Sequence, residues 1–162
     1  MTHLHTAHGV LPLPAFLPDA TRGSVRTVDA DDLVRCGVEA IMVNVLHLSR
    51  EPGASLVSSQ GGIHAFMGWD GPVSSDSGGF QVYSLVRSSG GASVSRDGFV
   101  YHLGRGRRKR LLTPEKCIQQ QFRLGANIMF CLDHCTHPGE GPAAQRESVA
   151  NTVDWARRCK AE

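Results

Sequence analysis

The sequence predicts an α/β fold in which parallel strands alternate with helices. Four short apolar segments have the length of buried strands, and segments with helical caps or helical spacing lie between them. Such alternation is typical of parallel sheets with helical crossovers. The chain has 162 residues, 41% of them apolar, and shows no internal repeat or low-complexity linker. We therefore expect one domain over residues 1–162 with about four βα units, which is half of an eight-stranded barrel.

The amino-terminal part of the chain contains the first predicted units. The first eight residues are expected to form a frayed end or a β-hairpin, and a strand is expected around residues 14–17. Residues 29–37 have an acidic first turn and a glycine stop, which predicts a helix. The apolar run at residues 40–43 predicts a buried strand that ends at Asn44.

A third predicted strand, at residues 73–75, leads into the sequence S-D-S-G-G-F-Q at residues 75–81. Before it, residues 45–62 are expected to be loop with one helical turn after Pro52, and residues 62–67 to open a short helix. A carboxylate between two hydroxyls, followed by a glycine pair, suits the carboxyl end of a buried strand where the chain turns sharply.

A hairpin is predicted after the polar, glycine-rich residues 88–95, with arms at residues 99–101 and 111–112. The formal net charge is only +2, so a contact with nucleic acid would have to use a local basic patch. The tip of this hairpin is such a patch and a candidate for phosphate contact, although a solvated loop is the alternative. Its basic residues are Arg105, Arg107, Arg108, Lys109 and Arg110.

The predicted alternation ends with a helix, a strand and a second helix. Thr113 is the expected cap of a helix that stops at Gly125, and residues 127–132 are expected to form a buried strand that ends at Asp133. A last helix is expected at residues 143–159. The expected inner faces are Cys117, Ile118 and Phe122 on the first helix, and Val149, Val153 and Ala156 on the last.

The cysteine pattern indicates a reducing compartment. The cysteines are scattered and odd in number, and the sequence has no secretory apolar region or long apolar span. This favours free thiols in the cytoplasm and no association with a membrane. The five cysteines are Cys36, Cys117, Cys131, Cys135 and Cys159.

Polar residues stand at three of the predicted strand ends: Asn44, Asp76 and Asp133. The carboxyl ends of parallel barrel strands face the same side, so these side chains are expected to converge at one rim. Taken singly, each residue is also compatible with a helix cap or a turn.

Several motifs occur in a fixed order along the chain. The longest are D-S-G-G-F-Q at residues 76–81 and G-I-H-A-F-M-G-W-D-G-P at residues 62–72. Shorter ones are F-L-P at 16–18, Asn44 with H-L at 47–48, R-E-P-G at 50–53, L-T-P-E-K at 112–116 and L-D-H-C at 132–135. Together they closely resemble the tRNA-guanine transglycosylases. The resemblance implies the first half of a (β/α)8 TIM-type barrel with an inserted hairpin. It also implies the exchange of guanine in a tRNA anticodon for a 7-deazaguanine.

The resemblance also implies roles for individual residues. Asp76 would be the general acid/base, a role that contributes roughly 10²–10⁴-fold to a rate. Phe80 would stack on the purine, Asp133 would read its Watson–Crick edge, and Cys135 would lie beside the base. At position 134 the bacterial pattern has Glu, whereas this chain has His134. The complete set of candidate substrate-binding residues is Asn44, Ser77, Gly78, Phe80, Asp133 and Cys135.

No metal or other cofactor is expected in this chain. Cys131, His134, Cys135 and His137 are a possible metal cluster by residue type, but Cys131 is expected to point away from the rim. The resemblance places the family's zinc cluster and its nucleophilic aspartate in a later half of the protein. No segment of this sequence matches either of them, so Asp76 alone is not expected to perform the double displacement.

The expected partners are tRNA, a guanine or 7-deazaguanine base, and either a second chain that completes the barrel or a second copy of this chain. Two alternative functions stay open at this point. One is a non-catalytic subunit that binds purine or RNA, and the other is a transglycosylase-like protein that acts on DNA.

Overall fold

A computed structural model describes residues 2–89, 93–102 and 109–162. The strands are β1 (Thr2–Thr6), β2 (Gly9–Leu13), β3 (Ile41–Asn44), β4 (Val73–Asp76), β5 (Ser93–Ser95), β6 (Gly98–His102), β7 (Lys109–Leu112) and β8 (Ile128–Met129). The helices are α1 (Ala30–Arg35), α2 (Val45–Arg50), α3 (Ala54–Ser59), α4 (Gly62–Met67), α5 (Gly79–Ser89), α6 (Pro114–Leu124) and α7 (Pro142–Ala161).

The chain forms two compact units, which are described separately. The first unit extends to Asp76 and includes Gln120–Phe130, and the second comprises Ser77–Gln119 and Cys131–Glu162. Helix α6 begins in the second unit and ends in the first.

The first unit contains a parallel sheet in the order β3-β4-β8, which confirms the predicted parallel pairing. Its core is formed by buried aliphatic side chains from the strands and from helices α1 to α4, together with Trp69 and Leu124. Asn127 starts the third strand region, where its backbone N–H donates to Val73 O at 2.8 Å. Strand β8 is shorter than the predicted 127–132, since its pairing with β4 involves only Ile128 and Met129.

The strand expected at residues 14–17 was wrongly placed. Residues 9–13 form β2, which pairs antiparallel with β1 as a hairpin, and Phe16 is 83% exposed. The segment that lies parallel to β3 comes later, because Met42 N donates to Pro18 O and Ala20 N donates to Met42 O. Prolines lack a backbone N–H, so the run between Pro14 and Pro18 offers fewer ladder donors than its apolar character suggests.

The prediction of loop at residues 45–62 was also wrong, because α2 and α3 occupy most of this segment. Asn44 Oδ1 accepts from His47 N at 3.0 Å and so caps α2, while Val45, Leu46 and Leu48 are buried. Helix α2 was missed because the capping role of Asn44, directly before this apolar run, was not recognised in the sequence. The helical turn predicted after Pro52 corresponds to α3, whereas α2 before Pro52 was not predicted.

The second unit contains the predicted hairpin, since β6 pairs antiparallel with β7 and also with β5. Lys109 and Arg110 belong to β7 and are exposed. Arg105, Arg107 and Arg108 lie outside the described residues. Helix α5 was not predicted, because the apolar run after the D-S-G-G-F-Q motif was not recognised as helical.

The helices α6 and α7 confirm two predictions but correct their buried faces. Thr113 Oγ1 caps α6 by accepting from Lys116 N at 3.2 Å. Phe122 is 62% exposed, whereas Cys117 and Ile118 are buried as predicted. On α7, Val149 and Val153 are exposed, and the buried positions are Ser148, Asn151, Trp155 and Cys159.

Within the described residues, none of the helices is both long and apolar enough to cross a membrane.

Candidate active site

Asn44 and Asp76 stand opposite each other at the carboxyl ends of β3 and β4. Asn44 is buried, and its Nδ2 donates to Asp76 Oδ2 at 2.6 Å. Its Oδ1 is occupied by the cap of α2, so the amide is fixed at both ends. This charge-assisted hydrogen bond fixes the orientation of the Asp76 side chain.

A second group of polar side chains surrounds the Asp133 carboxylate. Ser77 Oγ donates to Asp133 Oδ1 at 2.8 Å, and the Cys135 thiol donates to Oδ2 at 3.0 Å. Ser77 Oγ itself accepts from Gly79 N at 3.1 Å, and Ser77 O accepts from the Cys117 thiol at 3.3 Å. Both oxygens of Asp133 are therefore oriented by neighbours that come from the D-S-G-G motif and from its own loop.

The glycine pair of the motif is required by this geometry. Gly78 has a φ of +72°, a conformation that side chains disfavour. A Cβ on Gly79 would lie 2.6 Å from Asp133 Oδ1 and 2.8 Å from Asp133 O. The backbone therefore approaches Asp133 as closely as only glycine permits.

The Cys135 thiol acts as a hydrogen-bond donor in this group. Burial, followed by the hydrogen bond to Asp133 and the charge of Asp133, raises the pKa of Cys135 to about 12. At neutral pH the residue is therefore a protonated thiol, which suits donation to a carboxylate and does not suit nucleophilic attack.

Phe80 presents a free aromatic face. Its side chain is 63% exposed, and its ring centroid lies 6.2 Å from that of Tyr83. An exposed ring directly after the glycine pair can stack on a flat heterocycle. The next residue was missed by sequence reasoning: Gln81 Oε1 is buried and has no hydrogen-bond partner among the residues that the structure describes. Its place in the D-S-G-G-F-Q motif was the signal that could have identified it.

The family-level comparison is decisive for the whole chain. The family model described as queuine tRNA-ribosyltransferase matches residues 1–162. The chain belongs to this family. Among curated relatives named queuine tRNA-ribosyltransferase, the protein of Nitratidesulfovibrio vulgaris (strain DP4) is 41% identical over 157 residues, which are 97% of this chain and 41% of the relative. That of Cyanothece sp. (strain PCC 7425 / ATCC 29141) is 38% identical over 95% of this chain and 40% of the relative. The chain thus spans about two fifths of the length of these relatives.

Within this member of the queuine tRNA-ribosyltransferase family, the predicted site residues form two groups. The structure brings Asn44 together with Asp76, and Ser77 together with Asp133 and Cys135. The convergence of all three strand ends at one rim stays a prediction, as do the roles of the individual residues.

His134, which departs from the bacterial pattern, makes several contacts with α7. His134 N donates to Thr152 Oγ1 at 2.9 Å, and His134 O accepts from Ser148 Oγ at 2.5 Å. Asn151 Nδ2 donates to His134 Nδ1 at 3.1 Å, and burial lowers the pKa of this imidazole. The ring lies beside Trp155, with centroids 6.0 Å apart. These contacts explain why the buried face of α7 includes the polar residues Ser148 and Asn151.

The cysteine and histidine residues of this loop do not fit a zinc ion. The Cys135 thiol and the His134 ring are engaged as described, and burial raises the pKa of the Cys131 thiol. Among the described residues, no group of three His, Cys, Asp or Glu side chains is arranged to hold a metal.

Proposed function

We propose that this chain supplies the base-recognition and acid/base part of a queuine tRNA-ribosyltransferase. The activity would exchange guanine for a 7-deazaguanine in the anticodon of tRNA, as part of queuosine modification. The observation that carries the proposal is the Asp133 carboxylate, oriented on both oxygens by Ser77 and Cys135 inside the family's motifs. The proposed architecture is the first half of a TIM-type barrel, in line with the parallel order β3-β4-β8.

Asp133 is the proposed reader of the purine edge. A guanine-like base presents two adjacent N–H donors, and an ionised carboxylate has about four lone-pair sites. The bonds from Ser77 and Cys135 leave lone pairs available for such an edge. Adenine lacks this pair of donors, so the same carboxylate would disfavour it. Phe80, with its exposed ring, would stack on the base.

Asp76 is the proposed general acid/base. The Asn44 amide holds one of its oxygens at 2.6 Å and so restricts the orientation of the carboxyl group. Positioning of this kind is the first requirement for proton transfer to or from a purine. Asn44 therefore acts as a positioning residue in this proposal.

Turnover is proposed to need the remaining part of the family's protein. The family's nucleophilic aspartate, which has no matching segment in this sequence, and the family's zinc are proposed to belong to that part. The proposed partners are tRNA and either a complementing chain or a second copy of this chain. The proposed compartment is the cytoplasm, because all five cysteines are free thiols.

The test is incorporation of labelled guanine into tRNA. We expect the 162-residue chain alone to give no more incorporation than a no-enzyme control. Coexpression with the remaining segment of a curated relative is expected to produce incorporation that Asp76→Ala abolishes. Incorporation by the chain alone that is lost in Asp76→Ala would contradict the proposed dependence. Base binding without exchange in every combination would favour the non-catalytic binding subunit.

A further inference from the structure

A polar cavity of about 540 Å³ lies in the first unit beside the start of α2. It is lined by Asp19, Thr21, Arg22, Ser24, Arg26 and His47. Asp19 lies beside β3, four of these residues belong to the segment that follows residues 18–20, and His47 belongs to α2. Ligand sites of small molecules commonly have volumes of roughly 300–1,000 Å³, so this cavity has the size for a nucleotide.

The segment that carries the two arginines is held in a defined conformation. Ala20 N donates to Met42 O at 2.6 Å, and Gly23 N donates to Ala20 O at 2.8 Å. Gly23 has a φ of +74°, and a Cβ there would lie 3.0 Å from the Phe66 ring. A glycine turn packed on an aromatic side chain therefore fixes the backbone between Arg22 and Arg26.

The charges around the cavity favour an anion. Arg22 and Arg26 are cationic at all relevant pH values, and Asp19 is the one acid among the described residues that line the cavity. Its Oδ1 accepts from Thr21 Oγ1 at 2.5 Å, so part of its acceptor capacity is used. Burial, followed by the charges of Arg22 and Arg50, lowers the pKa of His47, which leaves a neutral imidazole with one N–H donor at pH 7.

We propose that Arg22, Arg26 and His47 form a binding site for a phosphate group. Two guanidinium forks, a ring N–H and a hydroxyl from Ser24 match the oxygens of a phosphate, for which arginine is the preferred bidentate partner. A bare phosphate is much smaller than the cavity, so the structure points to a phosphate carried by a nucleotide or a nucleic-acid strand.

The position of the site deepens the proposed function, on which this step rests. The backbone N–H of His47 donates to Asn44 Oδ1, and Asn44 Nδ2 donates to Asp76. A phosphate in the cavity would thus lie next to the residues proposed to act on the nucleoside. We assign it to the backbone of the single-stranded RNA that flanks the exchanged base.

The test compares inorganic phosphate, uridine 5′-monophosphate and a short single-stranded RNA by NMR titration of the 162-residue chain. Arg22→Ala/Arg26→Ala is the test variant. Arg35→Ala is the matched control, because Arg35 is an exposed arginine that pairs with Asp32 on α1. Both test positions are exposed, and circular dichroism checks that each variant is folded.

We expect the double variant to weaken RNA binding at least tenfold and Arg35→Ala to change it less than twofold. The slope of log K against log salt should become shallower by about 0.7, the value for one phosphate contact on a single strand. Equal affinities in the wild type and the double variant would overturn the site. Binding of free phosphate as tight as that of RNA would keep the anion site but overturn its assignment to a strand.

Base binding is measured in parallel with 7-deazaguanine, which carries no phosphate. Loss of RNA binding in the double variant with unchanged base binding supports the phosphate site. Absence of base binding in the wild type would contradict the proposed function while the phosphate titration still decides this inference.

Discussion

At the scale of single residues, the chemistry of this chain depends on side chains whose orientation is fixed by neighbours. Neighbouring groups hydrogen-bond both oxygens of Asp133. Asn44 donates to Asp76, and the hydrogen bond that caps α2 fixes Asn44 itself. The polar strand ends could be recognised from the sequence, because carboxylates after apolar runs are visible there. The orientation of Asp133 by a thiol and a hydroxyl could not be recognised from the sequence. It depends on turns and on contacts between segments 56 residues apart.

Asp133→Asn is expected to reduce the preference for 7-deazaguanine over adenine. The amide replaces an acceptor oxygen with a donor that opposes the N–H groups of the purine. The expected loss is about 1–3 kcal/mol of discrimination, measured by NMR line broadening with both bases. Asp31→Asn, an exposed carboxylate in α1, is the control and should behave like the wild type. Identical responses in all three proteins would refute the assigned role of Asp133.

Gly79→Ala tests the close approach of the backbone to Asp133. The new Cβ would meet both a carboxylate oxygen and a carbonyl oxygen below 3 Å. We expect a loss of about 1–3 kcal/mol in the free energy of unfolding, as for other overpacked sites, measured by urea denaturation. Gly141→Ala is the matched control, because a Cβ there has no neighbour within 4 Å. A stability equal to that of this control would show that the segment around Gly79 adapts without cost.

His64 provides a pH-dependent contribution to stability. Burial, and then the nearby His8, lower the pKa of His64, whose ring stacks on His8 with centroids 3.6 Å apart. The nearby Asp70 acts in the opposite direction. Below about pH 6.5 the unfolded chain binds a proton that the folded imidazole does not, so stability falls with decreasing pH.

His64→Gln should make this dependence shallower between pH 7 and 5, as measured by urea denaturation across that range. The amide of Gln retains a donor for Asn127 Oδ1, which the His64 ring contacts in the wild type. His5→Gln, at an exposed position of β1, serves as the control. If the stability of His64→Gln depends on pH as steeply as that of the wild type, the pH dependence comes from other groups.

At the scale of elements, the parallel strands β3 and β4 and the helices α6 and α7 were predicted better than the buried faces of those helices. The cap residue Thr113 is visible in the sequence and was correctly predicted, whereas Asp29, predicted as part of the acidic first turn, is the cap of α1. The buried faces of α6 and α7 were not predicted, because Gln121 and Asn151 are buried polar residues whose partners lie outside the helices, at Phe130 and His134. Apolar periodicity favours positions such as Phe122 and Val149 on these helices, and both are exposed.

The Glu115–Arg158 pair joins α6 to α7 and gives a test at this scale. Arg158 Nε and Nη2 donate to the two oxygens of Glu115 at 2.6 and 2.9 Å. The hydrogen bond from Arg158 lowers the pKa of Glu115 to about 2. A depressed carboxyl pKa contributes stability above the unfolded value of about 4.3, and this contribution is lost as the pH falls toward the folded value.

Glu115→Gln is expected to cost about 1 kcal/mol at pH 7, since the pair is partly exposed and its bonds are charge-assisted. The cost should shrink as the pH falls from about 4 towards 2, measured by urea denaturation. Glu147→Gln, an exposed glutamate on α7, should have little effect at any pH. A constant difference between wild type and Glu115→Gln across this range would exclude the ion pair as its cause.

At the scale of the whole molecule, the parallel sheet of the first unit ends at β8 within the described residues. Strand β8 pairs with β4 on one side. Close to it in sequence, Phe130 is 51% exposed and Phe122 is 62% exposed. A sheet edge with exposed aromatic residues favours association with another chain. The half barrel predicted from the number of βα units would leave an unpaired sheet edge, but the sequence did not identify the aromatic residues that accompany it.

We therefore expect the 162-residue chain to self-associate through this edge. Sedimentation velocity should show concentration-dependent oligomers, and Phe122→Ser/Phe130→Ser should shift the distribution towards monomer. Phe16→Ser is the control, because Phe16 is the most exposed of the aromatic residues but lies outside the strands. The complementing segment of a relative should also suppress self-association, since it would cover the same edge. If Phe16→Ser and the double variant shift the distribution equally, association reflects general surface hydrophobicity, and the edge of β8 has no special part in it.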